Sequence, residues 1–144
     1  MLYNTNTFKE EPLISTRSRI GLQLFDGSVL SAYHHWNGYP EWLGRILNTH
    51  YNAKSLAEEL IDGGDMSICW TDERWDDSGV EGVYGPQYYS QRGDNCPPRI
   101  DSNLIEYLGD NEEYAYLFTN GEWVCYELGE TPKIVEIPNG ALMV

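Results

Sequence analysis

Thr16–Pro40 reads TRSRIGLQLFDGSVLSAYHHWNGYP, and the interpretation of this stretch decides the arrangement of the chain. Asp26-Gly27 supplies the positive φ angles of a tight two-residue hairpin turn. A turn closed there sets Leu24 opposite Val29, Leu22 opposite Ser31 and Ile20 opposite Tyr33 on one largely apolar face. Gln23, Leu30, Gly21 and Ala32 then line the other face. Extended to the open end, the same register sets Arg19 opposite His34 and Arg17 opposite Trp36, all on that second face. Two guanidiniums, an imidazole and an indole are thus expected to converge at the hairpin mouth. Guanidiniums donate paired hydrogen bonds to phosphate or carboxylate, and an indole offers a stacking face. The expected ligand-binding set is Arg17, Arg19, His34, Trp36 and Arg92, with His35, Tyr39 and Asp94 as secondary candidates. The competing structural reading is that the arginines neutralise downstream acids and Trp36 covers their stems.

Working outward, Asn37-Gly38-Tyr39-Pro40 is a turn, and proline suits the first position of a helix. Leu43, Ile46, Leu47 and His50 then recur at helical spacing across Glu41–Tyr51. A second helix is expected over Ala53–Asp62, capped by Asn52 and stopped by Gly63-Gly64. Met66–Trp70 reads as a strand. The segment 71–99 is irregular, with short strands possible at Val83-Tyr84 and Gln87–Ser90. A short helix from Asp101 or Ser102 runs to Leu108. Asn120-Gly121 then marks a hairpin that pairs Phe118 with Trp123 and Tyr116 with Cys125 on one face. Leu117 with Val124 and Ala115 with Tyr126 occupy the other. TPKIVEIP is an edge strand bounded by prolines. The expected fold class is α+β: an antiparallel sheet built from two hairpins, with two to three helices packed on one face. Residues 1–15 read as an N-terminal arm and 16–144 as one domain.

The chain has 144 residues and a net charge of −14. That charge is unevenly placed. Residues 1–57 carry five Lys/Arg against four Asp/Glu, a balance of +1, whereas 58–144 carry four against nineteen, a balance of −15. A field of one sign repels nucleic acid and anionic lipid and attracts basic protein surfaces. Direct nucleic-acid binding is therefore not expected, and no segment has the apolar length of a membrane span. The three cysteines lack CxxC spacing, and His34, His35 and His50 fit no metal-ligand pattern, so neither a metal nor another cofactor is expected. Asp72, Glu73, Asp76 and Asp77 lack the glycine of a calcium loop and read as a solvated acidic stretch. His35 is expected to point into the core beside Tyr33, and His50 to lie on the apolar side of the first helix. No Gly-x-Ser-x-Gly elbow or phosphate-binding glycine loop occurs.

TRSRIG at 16–21, YHHWNGYP at 33–40, the His50-Tyr51 helix end and Arg92-Gly93-Asp94 together resemble a family of small, uncharacterised bacteriophage and prophage proteins. The likeness extends more loosely to EYAYLFTNGEWVCYEL. Relatives more often read YCHWDGYP, so His34 and Asn37 stand where cysteine and aspartate are usual. The resemblance implies a viral accessory gene acting in the host cytoplasm and carries no settled activity. The leading expectation is a non-catalytic protein for host takeover or anti-defence. It would bind a host or defence protein with a basic surface, or a small anionic ligand at the Arg/His/Trp site. Three alternatives stand beside it. One is a phosphate-ester or nucleotide-processing enzyme using Arg17 and Arg19 for phosphate, His34 or His35 as acid/base and Asp94 to orient it. The others are a DNA-mimic inhibitor and a virion structural component.

Overall fold

A computed structural model of the protein describes residues 13–71 and 85–141. Strands β1 (Ser18–Gln23) and β2 (Val29–His34) form the first hairpin. A π-helical turn, Pro40–Gly44, leads directly into α1 (Arg45–His50), followed by α2 (Lys54–Asp62) and β3 (Met66–Thr71). Next come β4 (Gly85–Tyr88), a 3-10 turn at Tyr89–Arg92, β5 (Arg99–Asp101) and α3 (Leu104–Leu108). The second hairpin, β6 (Tyr114–Thr119) and β7 (Glu122–Glu127), precedes the edge strand β8 (Lys133–Val135). All eight strands share one sheet, ordered β4-β3-β2-β1-β6-β7-β8, with β5 paired to β2 off this path. The fold is α+β, but the sheet is mixed and larger than two hairpins. β1 runs parallel to β6, and β2 meets β3 in parallel at His34 and Met66.

The second hairpin has the register expected from Asn120-Gly121, pairing Phe118 with Trp123 and Tyr116 with Cys125. Both turn residues take the left-handed conformation of a type I′ turn, with φ of +52° and +82°. The first hairpin does not follow its expected register. Ser18 pairs with His34, Arg19 with Tyr33, Ile20 with Ala32 and Leu22 with Leu30, one residue away from the two-residue closure. The loop holds three residues, Phe25, Asp26 and Gly27. The Leu24 and Gly27 amides bond back to Ser28 O and Leu24 O, and Gly27 alone is left-handed, at φ +89°. This is the type I turn with a glycine bulge. Asp26 stabilises it by accepting from the Ser28 amide at 3.0 Å and the Ser28 hydroxyl at 2.6 Å. In a sheet, a slip of one residue sends every side chain to the opposite face.

The shifted register gives a cleaner core. Ile20, Leu22 and Ala32 pack with Tyr116, Phe118 and Trp123 beneath the π-helical turn, α1 and α2, whose Leu43, Ile46, Leu47, Leu60 and Ile61 complete the main cluster. The opposite sheet face is also covered, by Tyr107 of α3 over Val29, Ala115 and Leu117. The helices therefore lie on both faces, not one. Gly21 is the reason Tyr107 fits: a Cβ there would lie 2.7 Å from the tyrosine ring and hydroxyl. The Tyr107 hydroxyl donates to Tyr116 O at 2.6 Å across this second core.

The helix caps differ from expectation. Ala53, not Asn52, precedes α2 and offers no side-chain cap. Asn103, not Asp101 or Ser102, caps α3 by accepting from the Glu106 amide at 2.8 Å. His50 is exposed because α1 ends there and turns its last residues to water. The expected strand at Val83-Tyr84 and the acids Asp72, Glu73, Asp76 and Asp77 lie outside the described residues. Of the expected arm, Ile14 bonds to Asn37 in both directions: its amide to Asn37 Oδ1 and the Asn37 amide to its carbonyl.

Candidate functional site

The one-residue shift takes apart the expected cluster at the hairpin mouth. Ser18 and His34 now face the main core, while Arg19 and Tyr33 lie on the opposite face. His34 is fully buried. Its Nε2 accepts the Cys69 amide at 2.9 Å, which leaves Nδ1 to carry the proton and face Ser18 Oγ at 3.4 Å. Burial, reinforced by His35, pushes its pKa down to about 3. A neutral imidazole locked as acceptor for a backbone amide holds β2 to β3; it is not presented to a ligand. Trp36 and Tyr39 are half-buried against the main core.

His35 takes the outward place expected of its neighbour. Its Nδ1 lies 2.8 Å from the Tyr33 hydroxyl, and its ring meets the Trp36 indole edge-on with centroids 4.5 Å apart. Arg17 and Arg19 belong to this outward face, but their donors are engaged in the protein itself. Arg17 donates to Asn111 O at 2.9 Å and lies 3.6 Å from Glu113, whose other oxygen accepts the Arg17 amide. Arg19 is buried and donates to Ser31 Oγ at 2.9 Å and Ser31 O at 3.3 Å. Arg92 rests over the Tyr89 ring at 5.0 Å and pairs with Asp94 at 2.7 Å. The structure thus brings Arg17, Arg19, Tyr33 and His35 to one face and separates them from His34, while Trp36, half-buried against the main core, touches the group through the His35 ring.

A polar network that sequence reading missed lies near Arg19. Arg99 bridges Asp101 at 3.0 Å and Asp110 at 2.6 Å. Glu112 is buried nearby with one carboxyl oxygen unbonded; burial and the Asp110 charge raise its pKa, partly offset by Arg19. The available signal was the alternation in Arg99-Ile100-Asp101, which puts arginine and aspartate on one face of a strand. The thiols of Cys69 and Cys125 are buried, and burial pushes each up to about 12, so neither is a poised nucleophile.

The charges divide sharply. Of the seven described Lys/Arg, Arg17, Arg92, Arg99 and Lys133 contact carboxylates. Arg45 is held by the carbonyls of Asn139 and Gly140, and Arg19 by Ser31. Only Lys54 has no such partner among the described residues. Exposed carboxylates, by contrast, stand in water along α2, where Glu58, Glu59 and Asp62 are all exposed and Ala57, Leu60 and Ile61 face the core. A concavity of about 600 Å³ lies at the turn end of the hairpins, away from the mouth. Comparison of the chain with family models, with curated proteins and with solved structures returned no match.

Proposed function

We propose that this is a non-catalytic, phage-encoded accessory protein of the host cytoplasm that binds a host or defence protein with a basic surface. The observation that carries this reading is the carboxylate face of α2. Glu58, Glu59 and Asp62 crowd the C-terminal half of that helix, and its last turn contains no basic residue. Negative charge there opposes the helix macrodipole, and the like-charged Glu58/Asp62 pair at i, i+4 repels. A solubility role alone does not require acids at the end of a helix where they weaken it. The engagement of nearly every described cation adds to the same reading, because it leaves the outward field negative.

The small-anion site expected at the hairpin mouth loses support from the placement of His34 and from the internal partners of Arg17 and Arg19. The phosphate-ester reading weakens for the same reason. The test combines Glu58→Lys, Glu59→Lys and Asp62→Lys in one variant. The reversal turns the macrodipole interaction at the helix end favourable but leaves a like-charged i, i+4 pair, so stability changes by less than about 1 kcal/mol, measured by urea unfolding. In pull-downs from bacterial lysate at low salt, the wild type captures a basic protein that the variant does not, and high salt releases it. A partner that survives both high salt and the triple reversal overturns the proposal, as does capture of nothing at low salt.

A further inference from the structure

We propose that the concavity between the two hairpin turns and the start of α2 binds a small amphiphilic anion: a flat apolar body bearing one carboxylate, sulfonate or phosphate group. This inference is independent of the acidic face of α2. The concavity, about 600 Å³, falls within the ~300–1,000 Å³ typical of small-molecule sites. Leu22 and Phe118 lie at its base but are spent in the main core, so the apolar surface it offers comes from the half-buried Leu24 and from Phe25. Its wall is Phe25, the first residue of the three-residue turn, whose ring is entirely in water at 107% relative exposure. That position of a type I turn accepts most residues. A phenylalanine there adds nothing to the fold, and leaving such a ring exposed forfeits roughly 1.5–3 kcal/mol of burial. An apolar body seated against Leu24 and Phe25 would recover that burial.

The sign of the ligand follows from the rim. Lys54 lines the concavity and, among the described Lys and Arg residues, is the one held by neither a carboxylate nor a carbonyl or hydroxyl acceptor, while no Asp or Glu is among the lining residues. In a chain of net charge −14 that combination is selective. Asp26 sits close by in sequence, but its carboxylate is turned onto the Ser28 amide and hydroxyl. Gln23 and Thr119 satisfy one another at 2.7 Å, and the Asn52 and Asn120 side chains supply neutral polar edges. The space above the turns is open: a Cβ built on Gly27 or Gly121 meets nothing within 4 Å.

The probe is anilinonaphthalene sulfonate, titrated by fluorescence, with near-ultraviolet circular dichroism confirming the native state. The wild type binds it saturably at one site. Lys54→Glu weakens binding by about tenfold or more through loss and reversal of the local charge. Phe25→Ser weakens it as well, while Lys133→Glu, on the far edge strand, leaves it unchanged. Phenylnaphthylamine, the uncharged analogue, binds without sensitivity to Lys54→Glu. Both mutated positions are exposed, so the variants keep the fold, and unfolding midpoints verify this. No saturable binding, or binding indifferent to Lys54→Glu, overturns the proposal. So does a Phe25-dependent dimer in sedimentation without probe, which would assign the concavity to a second copy of the chain.

Discussion

Lowering the pH through the histidine range destabilises this protein by way of His34. The imidazole is fully buried, accepts the Cys69 amide, and has its pKa lowered from 6.5 to about 3. Its folded-state value lies below its unfolded value, so its contribution to stability is complete above pH 6.5 and is lost as pH falls toward 3. Within that window the loss is about 1.4 kcal/mol per pH unit, or about 2 kcal/mol by pH 5. A domain with ~5–15 kcal/mol of stability registers this clearly. The assay is urea unfolding of the wild type and of His34→Gln at several pH values between 7.5 and 5. Glutamine preserves an acceptor for the Cys69 amide but does not titrate. The variant is less stable at pH 7.5, and the gap closes by about 2 kcal/mol by pH 5. Subtracting the two profiles removes contributions from His50, lowered by partial burial, and from Glu112, raised by burial. Parallel profiles, or a His34 resonance titrating near its ordinary value in NMR, refute the reasoning.

Gly38→Ala places a Cβ 2.5 Å from Ser18 Oγ and from Thr16 O. The backbone oxygen has no room to yield, so urea unfolding shows a loss of about 1–3 kcal/mol. Tyr107→Phe deletes the hydroxyl bond to Tyr116 O in the second core, and the same assay reads a loss of about 1 kcal/mol. Arg99→Ala releases Asp101 and Asp110. Burial works against the Asp110 carboxylate, but the Arg99 bonds hold its pKa below 3.8, so the deficit is present above that pH and fades below it. Its size is of order 1 kcal/mol after solvent screening, read from unfolding at pH 7 and pH 3.

Local turn chemistry was legible where two residues decided it and illegible where a third intervened. Asn120-Gly121 fixed its register outright because both residues adopt left-handed angles. Asp26-Gly27 looks equivalent, yet Ser28 gives the Asp26 carboxylate two donors and draws the turn into its three-residue form. The warning was present in the apolar pattern: only the shifted register puts Ile20, Leu22, Leu30 and Ala32 on a single face. The expected site depended on that register and dissolved with it. The parallel contacts of β1 with β6 and β2 with β3 leave no local signature, so the mixed sheet was not readable. The same holds for the placement of α3 on the second face, which depends on the missing side chain of Gly21.

The HHWNGYP stretch emerges as fold machinery. His34 ties two strands, Asn37 at φ +58° anchors Ile14, Gly38 lets Ser18 and Thr16 approach, and the Gly38 carbonyl accepts the Tyr116 hydroxyl at 2.8 Å.

The parallel seam between β1 and β6 joins Ser18 to Tyr114, so β1 lacks one of its two neighbours until synthesis has reached β6. During synthesis on the ribosome, the Ser18–Gln23 edge emerges before its β6 partner and stays open to unwanted pairing in the interval. A nascent chain truncated before residue 114 therefore has a hairpin but no closed sheet. Release of the β6–β7 hairpin from the exit tunnel is what allows that edge to close.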